Sequence, residues 1–437
     1  MTIQTKYPFD KSLIEQYSAK NGEPDWFKNL RLQAFELIDE LPLPKPDKTK
    51  IERWNFTDFK EHSVESDAYN SIDDLPEEIK SLINTDSDKR NLYVQHNQTS
   101  GILSLSNDLK KKGVIFTDLL TAVKEHGDLI QKYYMTEAVK ADEHRLTAFH
   151  AALVNGGVFL YVPENVVIDE PIQSIFIHDQ ADVPLINHVL IVADKNSSVT
   201  YVENYYSMNE KAEGIANIIT EVIAFDNANV KYGAVDTLAE GVTTYVNRRG
   251  YAGQDARIEW ALGLMNDGNT ISDNTTNLIG DGSFADTKSV VVGRGKQTQN
   301  FTTKVIHHGK GSEGFILKHG VVKDEATTIF NGIGKIEHGA SKSNADQESR
   351  LLMLSRNARG DANPILLIDE DDVMAGHAAS VGKVDEQQLY YLMSRGIPKE
   401  EAERLIIFGF LAPVVNQLPV EGVKKQLTSV IERKVQY

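Results

Sequence analysis

The residue best suited to chemistry in this sequence is His377, in the stretch DDVMAGHAASVGK. Its neighbours, Gly376 and Ala378, are small. A neutral imidazole binds transition metals, and small neighbours would let a ligand from another chain reach the same ion. The alternative is that the ring only packs, as an isolated histidine in a glycine- and alanine-rich setting commonly does. The sequence therefore makes His377 a candidate metal ligand and leaves a structural role open.

Cysteine is absent from the sequence. Its absence excludes disulfides, thiolate nucleophiles, tetra-cysteine zinc sites and any iron-sulfur cluster held wholly by this chain. Any metal chemistry must therefore use oxygen and nitrogen ligands, or sulfur that a partner supplies.

An acidic run close to His377 supports a second hypothesis, from a different class. Glu370, Asp371 and Asp372 could serve, with a cation, as the carboxylates of a polysaccharide hydrolase or lyase. Such enzymes generally act outside the cell, whereas we expect no export signal here. The aromatic content of 8% also shows no row of rings for stacking on sugars.

Three other motifs are interpreted as structural. The stretch GKGSEG, residues 309–314, matches the dinucleotide fingerprint, but a strand-like run follows it where that fingerprint requires a helix. Adjacent strand residues point to opposite faces, so His307 and His308 are expected to face the core and the solvent, one each. His144 and His150 are assigned to the surface and packing of a helix rather than to a metal.

Composition narrows the class of protein. The chain has 437 residues, 41% of them apolar, which predicts a globular protein with a substantial core. The formal charge of −17 argues against binding nucleic acid, because that needs a concentrated basic face. No stretch approaches the roughly 18–20 consecutive apolar residues of a membrane span. We expect a cytoplasmic protein that binds neither nucleic acid nor membrane.

The centre of the chain, residues 157–384, consists of short β-rich runs separated by turns. Similar turns recur at intervals of 28, 27, 29 and 29 residues. Such a period is typical of a solenoid whose coils must stack to bury their apolar faces. The sequence predicts a mainly β protein built on a right-handed parallel β-helix, with a β-sandwich as second choice. The recurring turn residues are Asn227, Asp255, Gly282, Gly311 and Ala340.

Helical patterns flank this centre. Residues 1–156 are predicted to form a mainly helical N-terminal domain and residues 385–437 a helical C-terminal domain. Asp385 is a good N-cap for the first C-terminal helix, Gln388 could complete a capping box, and Gly396 supplies a stop. The apolar stretch LIIFGFLAPVV that follows either packs on the β core or docks another subunit, and the pattern alone favours neither.

These features together resemble one family. The C-terminal block from DDVMAGHAASVGK to LIIFGFLAPVV, the N-terminal EPDWFKNLRLQAFELIDELPLP with ERWNFTDF, and the β-rich middle are similar to the SufB/SufD family of iron-sulfur cluster assembly proteins. The resemblance spans nearly the whole chain. It implies a right-handed parallel β-helix between helical domains, which agrees with the repeat period. It also implies a non-catalytic scaffold that works with SufB and with the ATPase SufC.

The residues favour the SufD-like branch of this family. SufB-like chains carry acidic neighbours beside the histidine of this block and cysteines elsewhere, whereas here the neighbours are Gly376 and Ala378. Some SufD-like chains have a cysteine two positions before the histidine, where this one has Ala375, and that departure puts a local thiolate role in doubt. The resemblance places His377 at the contact with SufB. No cofactor is expected on the chain alone, only a transient iron-sulfur cluster at that contact.

The resemblance also implies two contact surfaces. The last β-helix strands would pair with SufB, and an isolated chain could use the same strand edges to form a homodimer. The sequence has no G-x-x-x-x-G-K-[ST] phosphate loop, so ATP hydrolysis would come from SufC. A purely structural module with an inert His377 remains a third possibility. The candidate residues for docking SufC are Gln388, Tyr391, Arg395 and Phe408.

Overall fold

The computed structural model describes residues 7–83, 91–210 and 212–435. It confirms a mainly β protein in which a parallel β-solenoid lies between N-terminal and C-terminal helices. Successive strands alternate between two sheets, so each coil contributes one strand to each sheet. The sandwich alternative is wrong, because neighbouring strands of a sheet are parallel and come from consecutive coils.

Within the described residues, sheet A has ten strands and sheet B has nine. The strands of sheet A are β1 (Asn91–His96), β2 (Thr99–Ser104), β5 (Ile172–His178), β7 (Ser198–Ser207), β9 (Asn229–Thr237), β11 (Arg257–Leu264), β13 (Phe284–Gly293), β15 (Glu313–Val322), β17 (Asn344–Met353) and β19 (Met374–Lys383). The strands of sheet B are β3 (Ile115–Asp118), β4 (Gly156–Val162), β6 (Leu185–Ala193), β8 (Glu213–Ala224), β10 (Gly241–Ala252), β12 (Thr270–Leu278), β14 (Thr298–His307), β16 (Thr327–Ile336) and β18 (Arg359–Ile368).

The coils are aligned by a column of left-handed turn residues. The predicted turn positions Asn227, Asp255, Gly282 and Gly311 all have positive φ, and the N–H of each donates to a carbonyl of the next coil. The prediction fails at the fifth turn, where Lys342 takes the left-handed position instead of Ala340. The reason is coil length, because β15 and β17 pair with an offset of 31 residues, as from Glu313 to Asn344.

The two ends of the solenoid differ. At the N-terminal end, β2 and β3 each run antiparallel to a strand of the first coils and so reverse the chain direction. At the C-terminal end, β18 and β19 are the last strands of sheet B and sheet A, and no strand of the described residues pairs beyond either of them. Large apolar side chains are exposed there, including Met374 at 65%. The C-terminal end is therefore open.

The short helices at Glu77–Lys80 and Asn107–Lys111 pack against sheet A and with the solenoid core, respectively, and the other N-terminal helices pack on the outer face of sheet B. Their apolar residues share one core with outward residues of β6, β8 and β10, such as Leu190, Ile219 and Tyr245. The helical pattern of this region is interrupted, because α6 ends at Tyr133 and α7 begins only at Arg145. These helices are α1 (Lys11–Asn21), α2 (Asp25–Glu40), α3 (Glu77–Lys80), α4 (Asn107–Lys111), α5 (Leu119–Glu125), α6 (Gly127–Tyr133) and α7 (Arg145–Leu153), with a 3-10 turn at Ile72–Asp74.

The C-terminal helices α8 (Glu386–Ser394), α9 (Lys399–Val415) and α10 (Glu421–Val435) follow β19 directly. Buried residues of α9 and α10 pack on the outer face of sheet A, together with Val235, Ala261 and Val290. The apolar stretch LIIFGFLAPVV lies in α9, and Ile407 and Leu411 within it are buried in this core. Packing on the β core thus accounts for the buried side chains of the stretch. None of the helices described is both long and apolar enough to span a membrane.

One of the two predicted domain boundaries coincides with a change of secondary structure, and the other does not. The β-sheets begin before the predicted boundary at residue 157, because β1, β2 and β3 lie within residues 1–156 yet belong to the two sheets. The change to helix after β19, between Lys383 and Glu386, falls at the predicted position. The boundaries themselves remain predictions, since they concern independent folding units.

Helix α10 approaches sheet A closely over two glycines. A side chain at Gly263 would place its Cβ 2.3 Å from Cδ2 of Leu427, and one at Gly233 would meet Val423. We expect Gly263→Val to lower the free energy of unfolding by about 1–3 kcal/mol, because the added methyl groups must displace Leu427 from a packed site. Denaturant unfolding of both proteins measures the change.

The double variant Gly263→Val/Leu427→Ala provides the control. Leu427→Ala opens space for the valine, so the two changes should not be additive, and the double variant should be at least as stable as Leu427→Ala alone. Simple additivity would contradict the proposed contact.

Candidate functional site

His377 lies on β19 at the open end of the solenoid. Strand pairing places Trp260, Thr287, Ile316 and Gln347 in one row of successive coils, with His377 as its last member. The first four side chains are buried in the solenoid interior. Since directly paired residues point to the same face, the imidazole faces the interior too. It is exposed only because no further coil covers it.

The next residue inward in this row is Gln347. Its Nε2 donates to the carbonyl of Ile365 on β18, at 2.9 Å, so the side chain crosses the interior from sheet A to sheet B. Its Oε1 is buried and has no hydrogen-bond partner among the described residues. The interior thus ends at a buried amide, with the imidazole of His377 one coil further out.

His377 cannot hold a metal ion with the help of neighbouring groups alone. In the part of the chain that the structure describes, no three histidine, aspartate or glutamate side chains are grouped as metal ligands. The ring is accessible, however, and makes no hydrogen bond to the described residues. The arrangement can therefore contribute one nitrogen ligand to an ion whose other ligands come from a second molecule.

The nearby acidic run has a structural role. The carboxylate of Glu370 accepts hydrogen bonds from the N–H of Gly339, at 2.8 Å, and from that of Asp371, at 3.2 Å. The bond from Gly339 lowers the pKa of Glu370. The carbonyl of Asp372 accepts from the N–H of Lys342 in the left-handed turn. A general acid would need a raised pKa, so Glu370 does not fit the general-acid role of a glycosidase.

The other histidines are structural. His307 is buried and bonded to Ser312, at 2.8 Å, whereas His308 is exposed, as the alternation of strand residues predicts. GKGSEG forms the turn between β14 and β15, so a strand does follow it.

The histidines of the N-terminal region lie deeper than the predicted helix surface. His144 is the N-cap of α7, and burial lowers its pKa to about 4. His150 is fully buried and bonds to His188 and Asn217. His188 lies 3.1 Å from the carboxylate of Glu221, which also accepts from the N–H groups of two residues before α7. These buried polar contacts connect the N-terminal region to sheet B.

Of the four residues predicted to dock a partner, Gln388 and Tyr391 lie on α8 and Arg395 is its C-cap. Gln388, Tyr391 and Arg395 are exposed, and the Arg395 guanidinium lies 5.1 Å from the centre of the Tyr391 ring. The fourth, Phe408, lies on α9 and is half-buried against the core beneath α9 and α10. Asp385 caps α8 as predicted, but its bond goes to the N–H of Gln387, and the predicted reciprocal bond from Gln388 is not among those described.

The sequence predicted helix α8 and a contact through the last strands, but not that α8 would bury no residue or that β18 would expose large apolar side chains. α8 buries none of its nine residues, and Tyr390 and Tyr391 are 74% and 57% exposed. β18 exposes Leu367 and Ile368 at the open end. Pro364 within β18 is a local signal that could have marked it as an edge strand, since proline has no N–H to donate to a neighbouring strand.

Comparison with known proteins supports the resemblance seen in the sequence. The family described as "SUF system FeS cluster assembly, SufBD core domain" matches residues 176–410, and the "SufBD protein N-terminal region" matches residues 10–174. The iron-sulfur cluster assembly protein SufD of Bacillus subtilis is 67% identical over 436 residues, which cover 100% of both chains. An iron-sulfur cluster assembly SufBD family protein of Staphylococcus haemolyticus is 28% identical over 419 residues, covering 94% of this chain and 90% of that protein. The chain therefore belongs to the SufB/SufD family of iron-sulfur cluster assembly proteins.

Proposed function

We propose that this chain is a non-catalytic scaffold subunit that builds iron-sulfur clusters together with SufB and SufC. The observation that carries the proposal is the difference between the two ends of the solenoid. One end turns back on itself, whereas β18 and β19 offer two unpaired strand edges beside exposed apolar side chains. Such edges are ready to pair with strands of another chain, and a related solenoid such as SufB would continue both sheets.

The same pairing would enclose His377. A partner on β18 and β19 would cover the exposed ring and bring its own thiolates or carboxylates to the imidazole nitrogen. The cluster would then be a transient product held between two chains, and this chain alone would bind none. The absence of cysteine agrees with this division, because the sulfur ligands would have to come from the partner.

Helix α8 is the proposed docking site for SufC. Isolated helices shorter than about 12–15 residues are marginal in water, so a helix normally depends on a buried face. α8 has nine residues and buries none of them in this chain. The exposed tyrosines and Arg395 are residue types that dominate protein–protein contacts. Phe408 would support α8 from below rather than contact SufC with its whole ring.

Two other functions were considered from the sequence. The polysaccharide hydrolase or lyase is disfavoured by the hydrogen bonds of Glu370 and by family membership. An interaction module with an inert His377 would make the same contacts with SufB and SufC as the proposed scaffold. It would differ only in that its His377 takes no part in cluster formation. A homodimer through β18 and β19 would be a substitute for the contact with SufB when SufB is missing.

The docking of SufC can be tested with Arg395→Glu. Reversing the charge of the exposed C-cap residue of α8 should weaken SufC binding roughly tenfold, since a like charge replaces a complementary one without disturbing the solenoid. Titration calorimetry with purified SufC measures the dissociation constant.

Lys296→Glu is the matched control. It makes the same change of charge at a side chain that is 82% exposed in the turn between β13 and β14. The control should bind SufC like the wild type. Equal affinities of all three proteins would exclude α8 as the docking site.

The role of His377 can be tested with His377→Ala. The ring is exposed and unbonded, so the variant should fold and assemble with SufB and SufC, with a loss of stability below about 1 kcal/mol. If the ring is a ligand, the assembled complex should form clusters poorly in reconstitution, as measured by absorbance of the bound cluster per complex.

Ser380→Ala is the control for this experiment. Ser380 is exposed on the same strand but, at an odd spacing from His377, points to the opposite face. Its variant should form clusters normally. A normal cluster yield from a fully assembled His377→Ala complex would leave the chain as an inert module.

A further inference from the structure

Residues 42–49, which we call the proline strap, cross the outer face of sheet B. They contain Pro42, Pro44 and Pro46 and connect α2 with the rest of the N-terminal region. The strap begins where the N–H of Arg145 donates to the carbonyl of Pro42, at 2.8 Å. It then runs toward the open end of the solenoid, because its later residues contact β14 and β18.

A ladder of asparagine side chains lies beneath the strap. Asn300 on β14, Asn331 on β16 and Asn363 on β18 come from three successive coils. Nδ2 of Asn331 donates to Oδ1 of Asn300, at 3.0 Å, and Nδ2 of Asn363 donates to Oδ1 of Asn331, at 2.9 Å. At the inner end, Nδ2 of Asn300 donates to the carbonyl of Asp47 in the strap, at 2.7 Å. Each added coil thus supplies the donor for the amide oxygen of the coil before it.

The ladder ends at Asn363, which is on the last strand of sheet B. No further coil supplies a donor for its Oδ1. The ammonium group of Lys48, from the strap, donates to this oxygen instead. Lys48 also lies 3.7 Å from the carboxylate of Asp361, and its side chain is 43% exposed. A flexible, half-exposed lysine therefore occupies the position that an asparagine would take in a longer solenoid.

We propose that Asn363 fixes the register of the strand that a partner adds to β18. This inference rests on the proposed function. The partner strand would carry a side-chain amide opposite Asn363, and its N–H would donate to Oδ1 in place of Lys48. Lys48 would keep Asp361 as its partner, so displacing it leaves no buried charge unpaired. The strap would then act as a cap on the ladder that a correctly aligned partner removes.

A side-chain amide fits this position better than other donors. The two inner rungs are both amide-to-amide bonds, and their geometry follows from the strand spacing of about 4.8 Å. A strand shifted by one residue would turn its amide to the opposite face and leave Oδ1 with Lys48. The ladder would therefore distinguish the correct register from the neighbouring registers. Backbone hydrogen bonds alone do not make this distinction.

The test compares three variants of the full chain in titrations with purified SufB. Asn363→Ala removes the acceptor and should weaken binding roughly fivefold, the usual effect of one hydrogen bond. Lys48→Met removes the competing donor while keeping the aliphatic stem, so it should tighten binding, by roughly threefold. Asn300→Ala loosens the strap two coils away from the edge, and its affinity for SufB should match that of the wild type. Thermal unfolding confirms that each variant is folded.

The outcomes separate this inference from the proposed function. Opposite changes for Asn363→Ala and Lys48→Met, with Asn300→Ala unchanged, support it. Wild-type affinity of Asn363→Ala, or equal weakening by Asn300→Ala, overturns it and leaves the pairing with SufB intact. Failure of the wild-type chain itself to bind SufB overturns the proposed function and, with it, this inference.

Discussion

Backbone hydrogen bonding between parallel coils is the interaction on which the rest of this structure depends. Each inner strand bonds to strands of the coils on both sides, as β10 does to β8 and β12. A buried peptide group without a partner is costly, so a coil is stable only between two neighbours or beneath a cap. The N-terminal end meets this requirement with the antiparallel strands β2 and β3. The C-terminal end does not, and β18 and β19 are left with one unpaired edge each.

The regular pairing of strands also determines the position of His377. Because strands pair in register, the row that contains Trp260 and Gln347 continues to His377 on the last strand. The imidazole is therefore held at the mouth of the solenoid interior by a stack of coils rather than by bonds of its own. With no cysteine in the chain and no group of metal ligands among the described residues, a metal ion bound at His377 would need its other ligands from a second molecule.

The helices at the two termini cover the outer faces of the solenoid. The N-terminal helices share a core with sheet B, and α9 and α10 share one with sheet A, where glycine at position 263 allows α10 to approach. Covering both faces leaves two kinds of unpartnered surface in the part of the chain described here, namely the open end and α8. One of these surfaces consists of strand edges and the other of an exposed helix. This difference supports a scaffold that has separate contacts for two partners.

The sequence by itself determined the solenoid, its period and most of its turns. Local requirements sufficed for these, since a left-handed turn favours the asparagine, aspartate or glycine found at Asn227, Asp255, Gly282 and Gly311, and alternation separates His307 from His308. The residue types singled out His377, and the family resemblance placed it at the expected contact with SufB. Lys342 escaped prediction because a lysine gives no turn signal and its coil is two residues longer than the period suggested.

Only the tertiary structure decided which strands are the last of each sheet, how deeply each histidine is buried and which residues far apart in sequence are in contact. His150 is buried because α7 packs on sheet B, and Lys48 meets Asn363 across 315 residues of sequence. The number of coils that stack makes β18 and β19 an open end, although Pro364 in β18 is a residue typical of edge strands. Contacts between coils and between the strap and the ladder depend on the summed geometry of many residues, which a single sequence does not display.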